Sequence, residues 1–252
     1  RRRARTWETR SRTGPAPARR SDGGHCASEL STADPGLIPL RDSRRSKRFP
    51  WATALIVVAC AAVFAWELSL GERAEREIAR WAISPAELVH LVDPLRLPLR
   101  LVASLFLHGG WLHLLGNMAF LAVFGDDVEG KLGGRKFLVL YLLSGLVATL
   151  AQVAVAPRST VPIVGASGAI AGVLGTFLVW FPKAKLAGVL PLGCLVLPMR
   201  SRAFLFIPFW FLLQLAGALT AEPGSGRSGV AWYAHLAGFA AGPLLARWLR
   251  GK

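Results

Sequence analysis

Charged residues and cysteines are both scarce in this chain of 252 residues. Only 18% of the residues are charged, whereas 53% are hydrophobic. A soluble domain carries about 25% charged residues, so the composition argues against a soluble globular protein. The three cysteines, Cys26, Cys60 and Cys194, are scattered along the chain. Their spacing implies neither a disulfide framework nor a cysteine metal site.

Acidic residues are also few. The chain has 15 Asp and Glu against 30 Lys and Arg, a net charge of +15. Residues 1–48 hold 13 of the basic and 5 of the acidic residues, so more than half of the excess precedes the first apolar run. This composition predicts a basic, disordered cytoplasmic tail over 1–48, followed by a membrane domain over 49–252. The tail has no interleaved aromatic and basic residues, so no nucleic-acid partner is expected.

Apolar runs are what the chain has in abundance. Six of them approach the length of a helix that crosses a bilayer, about 20 residues. They cover residues 50–68, 111–127, 136–156, 167–182, 203–221 and 230–249. The sequence therefore predicts an all-α, polytopic membrane protein, a bundle of six transmembrane helices. Segment 186–198 is shorter and contains Pro191, Gly193 and Pro198, so we expect a connection lying in or near the membrane interface.

The distribution of basic residues predicts the orientation of the bundle. Lys and Arg are concentrated in the connections 126–136 and 183–202 and at the C-terminal end, whereas residues 67–100 hold six acids and five arginines. The positive-inside rule then places both termini in the cytoplasm, and we expect the plasma membrane. Within the long first outer loop, segment 72–83 has the pattern of an amphipathic helix resting at the lipid headgroups; a substrate gate is the alternative.

Four polar residues are predicted to lie at membrane depth, where polar side chains are costly: His113, Asn117, Ser167 and His235. Ser167 lies in the stretch VGASGAIAG (164–172), at or near the start of a helix. A serine among glycines and alanines often serves only helix packing or bonds to its own backbone. Taken alone, Ser167 therefore favours a packing role over a catalytic one.

The last helix changes that interpretation of Ser167. His235, Gly238 and Gly242 share one face of it. Close packing of this face on the small-residue face that follows Ser167 would bring the imidazole and the hydroxyl together. A serine activated by a histidine base is the smallest set of catalytic residues for acyl transfer by a serine. No carboxylate is evident inside the predicted spans, so we expect a dyad.

His113 and Asn117 are four residues apart and so share a face of the second predicted helix. An imidazole and an amide pointed at one place make a plausible oxyanion hole, and hydrogen bonding between helices is the alternative. His108 lies off that face and is expected to be structural.

Three motifs in this order resemble the rhomboid family of intramembrane serine proteases: HGGWLHLLGN (108–117), GASG (165–168) and AHLAGFAAG (234–242). The resemblance covers about 38–250, including IPLRD (38–42), GDDVEGKLGG (125–134) and FWFLLQL (209–215). It implies a six-helix serine endopeptidase, a hydrolase that cuts transmembrane protein substrates in or near their membrane segments, within the bilayer and without metal or cofactor. Members generally favour small residues before the cut and helix-destabilising residues in the substrate.

The resemblance also implies a role for each of the four polar residues. Ser167 would be the nucleophile, and His235 the general base and then the acid. Asn117, His113 and the backbone N–H of Ser167 would hold the oxyanion, in a site open to the extracytoplasmic side.

Two positions depart from the family pattern. Many members carry Trp-Arg in the first outer loop, where this chain has Leu99 and Arg100. An aromatic residue often stands four positions after the nucleophile and packs on the histidine, where this chain has Ala171. The sequence therefore does not indicate how the ring of His235 is held.

Two other classes of function compete with a protease. A catalytically inactive rhomboid-like protein would bind or chaperone membrane proteins, and it would be expected to lack Ser167 or His235; both are present. A transporter or channel would be expected to have inverted repeats, and the sequence has no internal repeat.

Overall fold

Helices make up most of the computed structural model, which describes residues 38–42, 49–192, 195–220 and 231–251. The α-helices are α1 (Trp51–Ser69), α2 (Ala74–Trp81), α3 (Pro85–Val89), α4 (Leu97–Ala103), α5 (Trp111–Leu132), α6 (Gly134–Val155), α7 (Ser167–Trp180), α8 (Ala203–Thr220) and α9 (Trp232–Arg250). The strands are β1 (Ile38–Asp42), β2 (Lys185–Leu192) and β3 (Leu195–Arg202).

A long helix occupies each of the six predicted positions. The largest difference is at α5, which was predicted to end at residue 127 and runs to Leu132. The added segment packs Val128 and Leu132 into the core, and the helix ends where Gly133 adopts φ +88°. Three of the six helices, α1, α6 and α8, are long and apolar enough to cross a membrane by length and composition. Membrane crossing by the other three stays a prediction.

A three-stranded sheet accompanies the helices and was not predicted. β2 and β3 form an antiparallel hairpin with Lys185 opposite Arg202, and β1 pairs antiparallel with β2. Segment 186–198, predicted as an interfacial connection, is therefore part of this hairpin. Residues 38–42, which were predicted to be part of the disordered tail, form strand β1 at one edge of the sheet. The prediction of disorder is therefore wrong for these five residues. The remainder of the tail lies outside the described residues.

The predicted amphipathic helix of the first outer loop is present as α2. The guanidinium of Arg100 is buried against this loop. It donates to the carbonyl oxygen of Ala82 from Nε at 2.9 Å and from Nη2 at 2.6 Å. Nη2 also donates to both carboxylate oxygens of Glu87, at 2.9 and 3.0 Å. The arginine kept beside Leu99 thus joins α2 and α3 to α4.

Glu87 is also part of a capping box at the start of α3. The Ser84 hydroxyl accepts from the backbone N–H of Glu87, and the Glu87 carboxylate accepts from the backbone N–H of Ser84. Burial raises the pKa of Glu87, but the hydrogen bonds donated by Ser84 and Arg100 outweigh burial and hold the pKa below its ordinary value. The charged carboxylate is therefore the form that this loop stabilises.

A second buried carboxylate joins α5 to the start of α1. Glu129 accepts from the backbone N–H groups of Ala52 and Thr53 at 2.9 and 2.7 Å, and from the Thr53 hydroxyl at 2.8 Å. The first N–H groups of a helix have no partner inside the helix, and the helix dipole favours an anion there. Glu129 thus satisfies the first turn of α1 and fixes α1 against α5.

Helix α7 is the centre of the bundle. Every residue from Gly168 to Phe177 is buried, and α5, α6 and α9 pack around it. The Phe177 ring meets Phe124 of α5 edge to face, with ring centroids 4.9 Å apart. Because it is enclosed on these sides, α7 holds its first residue, Ser167, in a fixed position.

Candidate active site

Helices α7 and α9 touch backbone to backbone. A Cβ atom on Gly238 would overlap the carbonyl oxygen of Gly168, and one on Gly242 would overlap that of Gly172. The two contacts advance together along both helices, so the helices run parallel, as the sequence predicts. Any side chain at Gly238 or Gly242 would push the helices apart, which is why small residues are required on this face.

This close contact brings Ser167 and His235 together. Ser167 is the first residue of α7, and His235 lies in the first turn of α9. The Ser167 Oγ lies 2.8 Å from the His235 Nε2, within hydrogen-bond distance. His235 is buried and Ser167 is half-buried. The two residues singled out by the sequence therefore form a hydrogen-bonded pair at one end of the bundle.

The other ring nitrogen of His235 contacts a residue that sequence reasoning missed. His235 Nδ1 lies 2.7 Å from the amide oxygen of Gln214 in α8. Gln214 has no solvent-exposed surface. Its signal in the sequence is a single amide inside the apolar run 203–221, a type of residue that is costly at membrane depth unless it has a partner. The group that contacts Nδ1 is thus an amide and not a carboxylate.

Two tryptophans flank the His235 ring. The Trp210 ring centroid lies 6.1 Å from it at an interplanar angle of 34°, and that of Trp232 lies 6.3 Å away at 82°. Trp210 comes from α8 and Trp232 from the first turn of α9. The ring is therefore enclosed by aromatic side chains from these helices, although position 171 of α7 carries only Ala171.

His113 and Asn117 lie near Gly165, two residues before Ser167. Gly165, at φ +109°, turns the chain into α7 and donates its N–H to the carbonyl oxygen of Ser104 at 2.8 Å. A Cβ atom on Gly165 would lie 2.7 Å from the His113 ring and 3.7 Å from the Asn117 Nδ2. That Nδ2 is buried and has no hydrogen-bond partner among the described residues. His113 and Asn117 thus lie against the segment that leads into Ser167.

His108 contacts both Glu67 and the ring of His113. It is almost fully buried, its backbone N–H donates to Glu67 Oε1 at 3.0 Å, and its ring meets that of His113 with centroids 5.2 Å apart. These contacts match the structural role expected for His108. Within the described part of the chain, no group of three or more His, Cys, Asp or Glu is placed to hold a metal ion.

Fold and site together define a polytopic helical membrane protein in which a half-buried serine is hydrogen-bonded to a buried histidine. The rhomboid domain model matches residues 97–252, which include all four polar residues predicted from the sequence. The chain belongs to the rhomboid family, as the motifs indicated.

Three relatives illustrate the extent of the similarity. RHOMBOID-like protein 1 of Arabidopsis thaliana is 28% identical over 222 residues, 78% of this chain and 52% of that protein. RHOMBOID-like protein 5 of the same plant is 39% identical over 79 residues, 31% of this chain and 26% of that protein. The rhomboid protease GluP of Bacillus subtilis is 39% identical over 79 residues, 31% of this chain and 15% of that protein. The chain thus spans about half or less of the length of these relatives.

Proposed function

We propose that the protein is an intramembrane serine endopeptidase that hydrolyses peptide bonds in or near transmembrane segments of other membrane proteins. The observation that carries this proposal is the 2.8 Å contact between Ser167 Oγ and His235 Nε2 at the N-terminus of α7. Membership of a family that includes a protein named as a protease supports it.

Acylation follows from the geometry of the pair. As the Ser167 Oγ bonds to the scissile carbonyl carbon, its proton passes to His235 Nε2. The tetrahedral intermediate collapses when His235 returns this proton to the leaving amine, and the peptide bond breaks. A water molecule that gives its proton to His235 then attacks the acyl group, releasing the new carboxyl terminus and restoring the Ser167 hydroxyl.

The donors beside Ser167 fit the negative charge that develops on the carbonyl oxygen. The backbone N–H of Ser167 lies in the first turn of α7, where N–H groups lack partners inside the helix. The Asn117 Nδ2 is buried without a partner among the described residues, so it has donors left for an oxyanion. His113 completes the set. Preorganised donors of this kind contribute about 3–4 kcal/mol each to catalysis.

The position of the pair among membrane helices supports transmembrane segments as substrates. A helical peptide bond is shielded by its own hydrogen bonds, so a segment with helix-destabilising residues is the more accessible substrate. We propose the plasma membrane as the location, with both termini in the cytoplasm and the site opening to the opposite side. The basic connections and the basic end of α9 support this orientation.

The test compares the wild type with Ser167→Ala in liposomes that contain a model transmembrane substrate. We expect the wild type to cut the substrate and a fluorophosphonate to label Ser167. We expect Ser167→Ala to lose cleavage by a factor of about 10⁴ or more, because the nucleophile is gone.

Ser144→Ala is the matched control. Ser144 is a buried serine on a neighbouring helix, and its Oγ has no hydrogen-bond partner among the described residues. We expect this variant to keep wild-type activity, because an unpaired hydroxyl contributes little. Equal cleavage by wild type and Ser167→Ala would contradict the proposal. Substrate binding without cleavage by the wild type would favour the inactive binding protein.

A further inference from the structure

We infer that Gln214 is a positioning residue for His235, a third member of the site that holds the base in its working tautomer. The inference rests on the proposed function, and it assigns a role to a residue outside the serine–histidine pair. Its basis is the 2.7 Å contact between Gln214 Oε1 and His235 Nδ1 on the side of the ring opposite Ser167.

The chemistry of the contact determines the tautomer. An amide oxygen only accepts hydrogen bonds, so Nδ1 must carry the proton that is donated to Gln214. The lone pair of neutral imidazole then lies on Nε2, which faces the Ser167 hydroxyl. A base needs its lone pair at this nitrogen, and a histidine held in the other tautomer cannot accept the serine proton.

The surroundings of Gln214 favour a rigid contact. Gln214 is fully buried, and Trp210, one turn earlier on α8, packs along the same imidazole. Trp210 also meets Phe120 of α5 and Phe239 of α9, with ring centroids 6.1 and 6.3 Å away. One face of α8 therefore supplies both a hydrogen-bond acceptor and an aromatic ring to the base.

A neutral amide suits this location. A carboxylate at a fully buried position carries a large desolvation penalty, whereas an amide offers an acceptor oxygen without a charge. Cysteine proteases with a Cys-His-Asn site likewise use an amide to orient the histidine. Position 214 thus orients the ring without adding a buried charge.

The experiment compares Gln214→Met and Gln214→Glu with the wild type in the liposome assay. Methionine matches glutamine in length and apolar fit but offers only a weak acceptor, whereas glutamate keeps a carboxyl oxygen for Nδ1–H. We expect Gln214→Met to lower kcat by about 10- to 100-fold with KM changed less than about 2-fold. We expect Gln214→Glu to be the more active of the two, with the acid limb of its pH–rate profile moved to higher pH, because a carboxylate stabilises protonated imidazole.

A purely structural role for Gln214 predicts the opposite order of the two variants. Glutamate would place an ionisable group in a buried position and would be the worse replacement, whereas methionine would pack well. The inference is overturned if Gln214→Met keeps wild-type kcat or if Gln214→Glu is the less active variant.

Two further measurements separate this inference from other causes. Thr176→Val is the matched control, because Thr176 is fully buried and its hydroxyl donates only within α7, to the Gly172 carbonyl at 2.9 Å. We expect Thr176→Val to keep wild-type kcat. Cleavage by the wild type and fluorophosphonate labelling of Ser167 test the proposed function on their own. If the wild type neither cleaves the substrate nor is labelled, the proposed protease function is refuted. If the wild type is active and the Gln214 variants have the same kcat as the wild type, only the role of Gln214 is refuted.

Discussion

Two buried polar clusters lie at opposite ends of the bundle. One is the site cluster, Ser167, His235 and Gln214; the other is the cap cluster, Glu129 with Ala52 and Thr53. Sixteen residues of α5 separate His113, beside the site cluster, from Glu129, which at about 1.5 Å per residue is about 24 Å. Both clusters are hydrogen-bonded and enclosed by apolar side chains, so burial alone does not distinguish them.

The clusters differ in whether their polar groups remain available for further hydrogen bonds. Both oxygens of Glu129 accept from fixed donors at the start of α1, and the helix dipole stabilises the charge. In the site cluster a serine hydroxyl faces a histidine nitrogen, and the buried Asn117 Nδ2, which lies near Gly165, has no partner among the described residues. The cap cluster is therefore suited to stability and the site cluster to chemistry. Separate effects on stability and on activity would test this difference.

Among the substitutions that compare the two clusters and the loop, the largest effect is expected from Gly242→Ala, which acts on the site cluster through the backbone. A Cβ atom there overlaps the Gly172 carbonyl oxygen, so α9 must move away from α7. A displacement of about 1 Å in catalytic geometry costs about 100-fold in rate. We expect fluorophosphonate labelling of Ser167 to slow by about that factor.

Gly116→Ala is the control for this substitution. Gly116 is also inside a helix, but a Cβ atom there would have no atom within 4 Å. We expect unchanged labelling and a gain in stability of about 0.5–1 kcal/mol, because alanine is the better helix former. Equal labelling of Gly242→Ala and wild type would contradict the importance of the α7–α9 contact.

An intermediate effect is expected from Glu129→Gln, which acts on the cap cluster. The amide nitrogen of glutamine would replace one acceptor with a donor that faces the donors of α1. We expect the free energy of unfolding, measured by SDS titration, to fall by about 2–3 kcal/mol, as for hydrogen bonds to charged groups. The variant that remains folded should label at Ser167 at the wild-type rate.

Glu75→Gln tests whether the loss comes from charge alone. Glu75 is an exposed carboxylate in α2, and we expect its replacement to leave the unfolding free energy within about 0.5 kcal/mol of wild type. A Glu129→Gln variant of normal stability but low activity would mean that the two clusters are not separable in this way.

The smallest effect is expected from Glu87→Gln in the connection between α1 and α5. The pKa of Glu87 is lowered in the fold, so its carboxylate stabilises the loop above its ordinary pKa of 4.5, and this stabilisation is lost as pH falls below that value. The Glu87 side chain is 32% exposed, so solvent screening limits the effect to under about 1 kcal/mol. Hydrogen exchange of amides 74–89 should be faster in the variant at pH 7, and the difference should disappear as the pH falls below 4.5 and through the lowered pKa of Glu87.

Glu72→Gln provides the comparison within the same loop, because Glu72 is exposed. We expect its exchange to match wild type at both pH values. A Glu87→Gln difference that persisted at low pH would show that the carboxylate charge is not what stabilises α2 and α3.

Some features of the fold could be predicted because they repeat along the chain. Long apolar runs indicated six helices, and the spacing of His235, Gly238 and Gly242 indicated which face of the last helix packs against α7. The β-hairpin could not be predicted in this way. Strands β2 and β3 are joined by main-chain hydrogen bonds, which do not depend on side-chain identity and left no clear period in a segment interrupted by prolines.

The residues of the candidate site likewise fall into those that could be predicted from the sequence and those that could not. Ser167, His235, His113 and Asn117 could be selected because each is polar in an apolar run and belongs to a motif. Gln214 has the same polarity and lies in FWFLLQL (209–215), which the resemblance includes, but no residue spacing pairs it with His235, 21 positions away. Trp210 is one aromatic residue in the aromatic-rich stretch FWFLLQL, so its contact with the His235 ring could not be separated from ordinary core packing.

The amino-acid sequence by itself determined that this is a helical membrane protein of the rhomboid type and which serine and histidine pair. Composition and short-range spacing carry that information, because a helix fixes which residues share a face. Only the tertiary structure decided that Gln214 contacts His235 and that Trp210 and Trp232 enclose its ring. These contacts join helices distant in the chain, and their geometry depends on how closely the glycines let α7 and α9 approach.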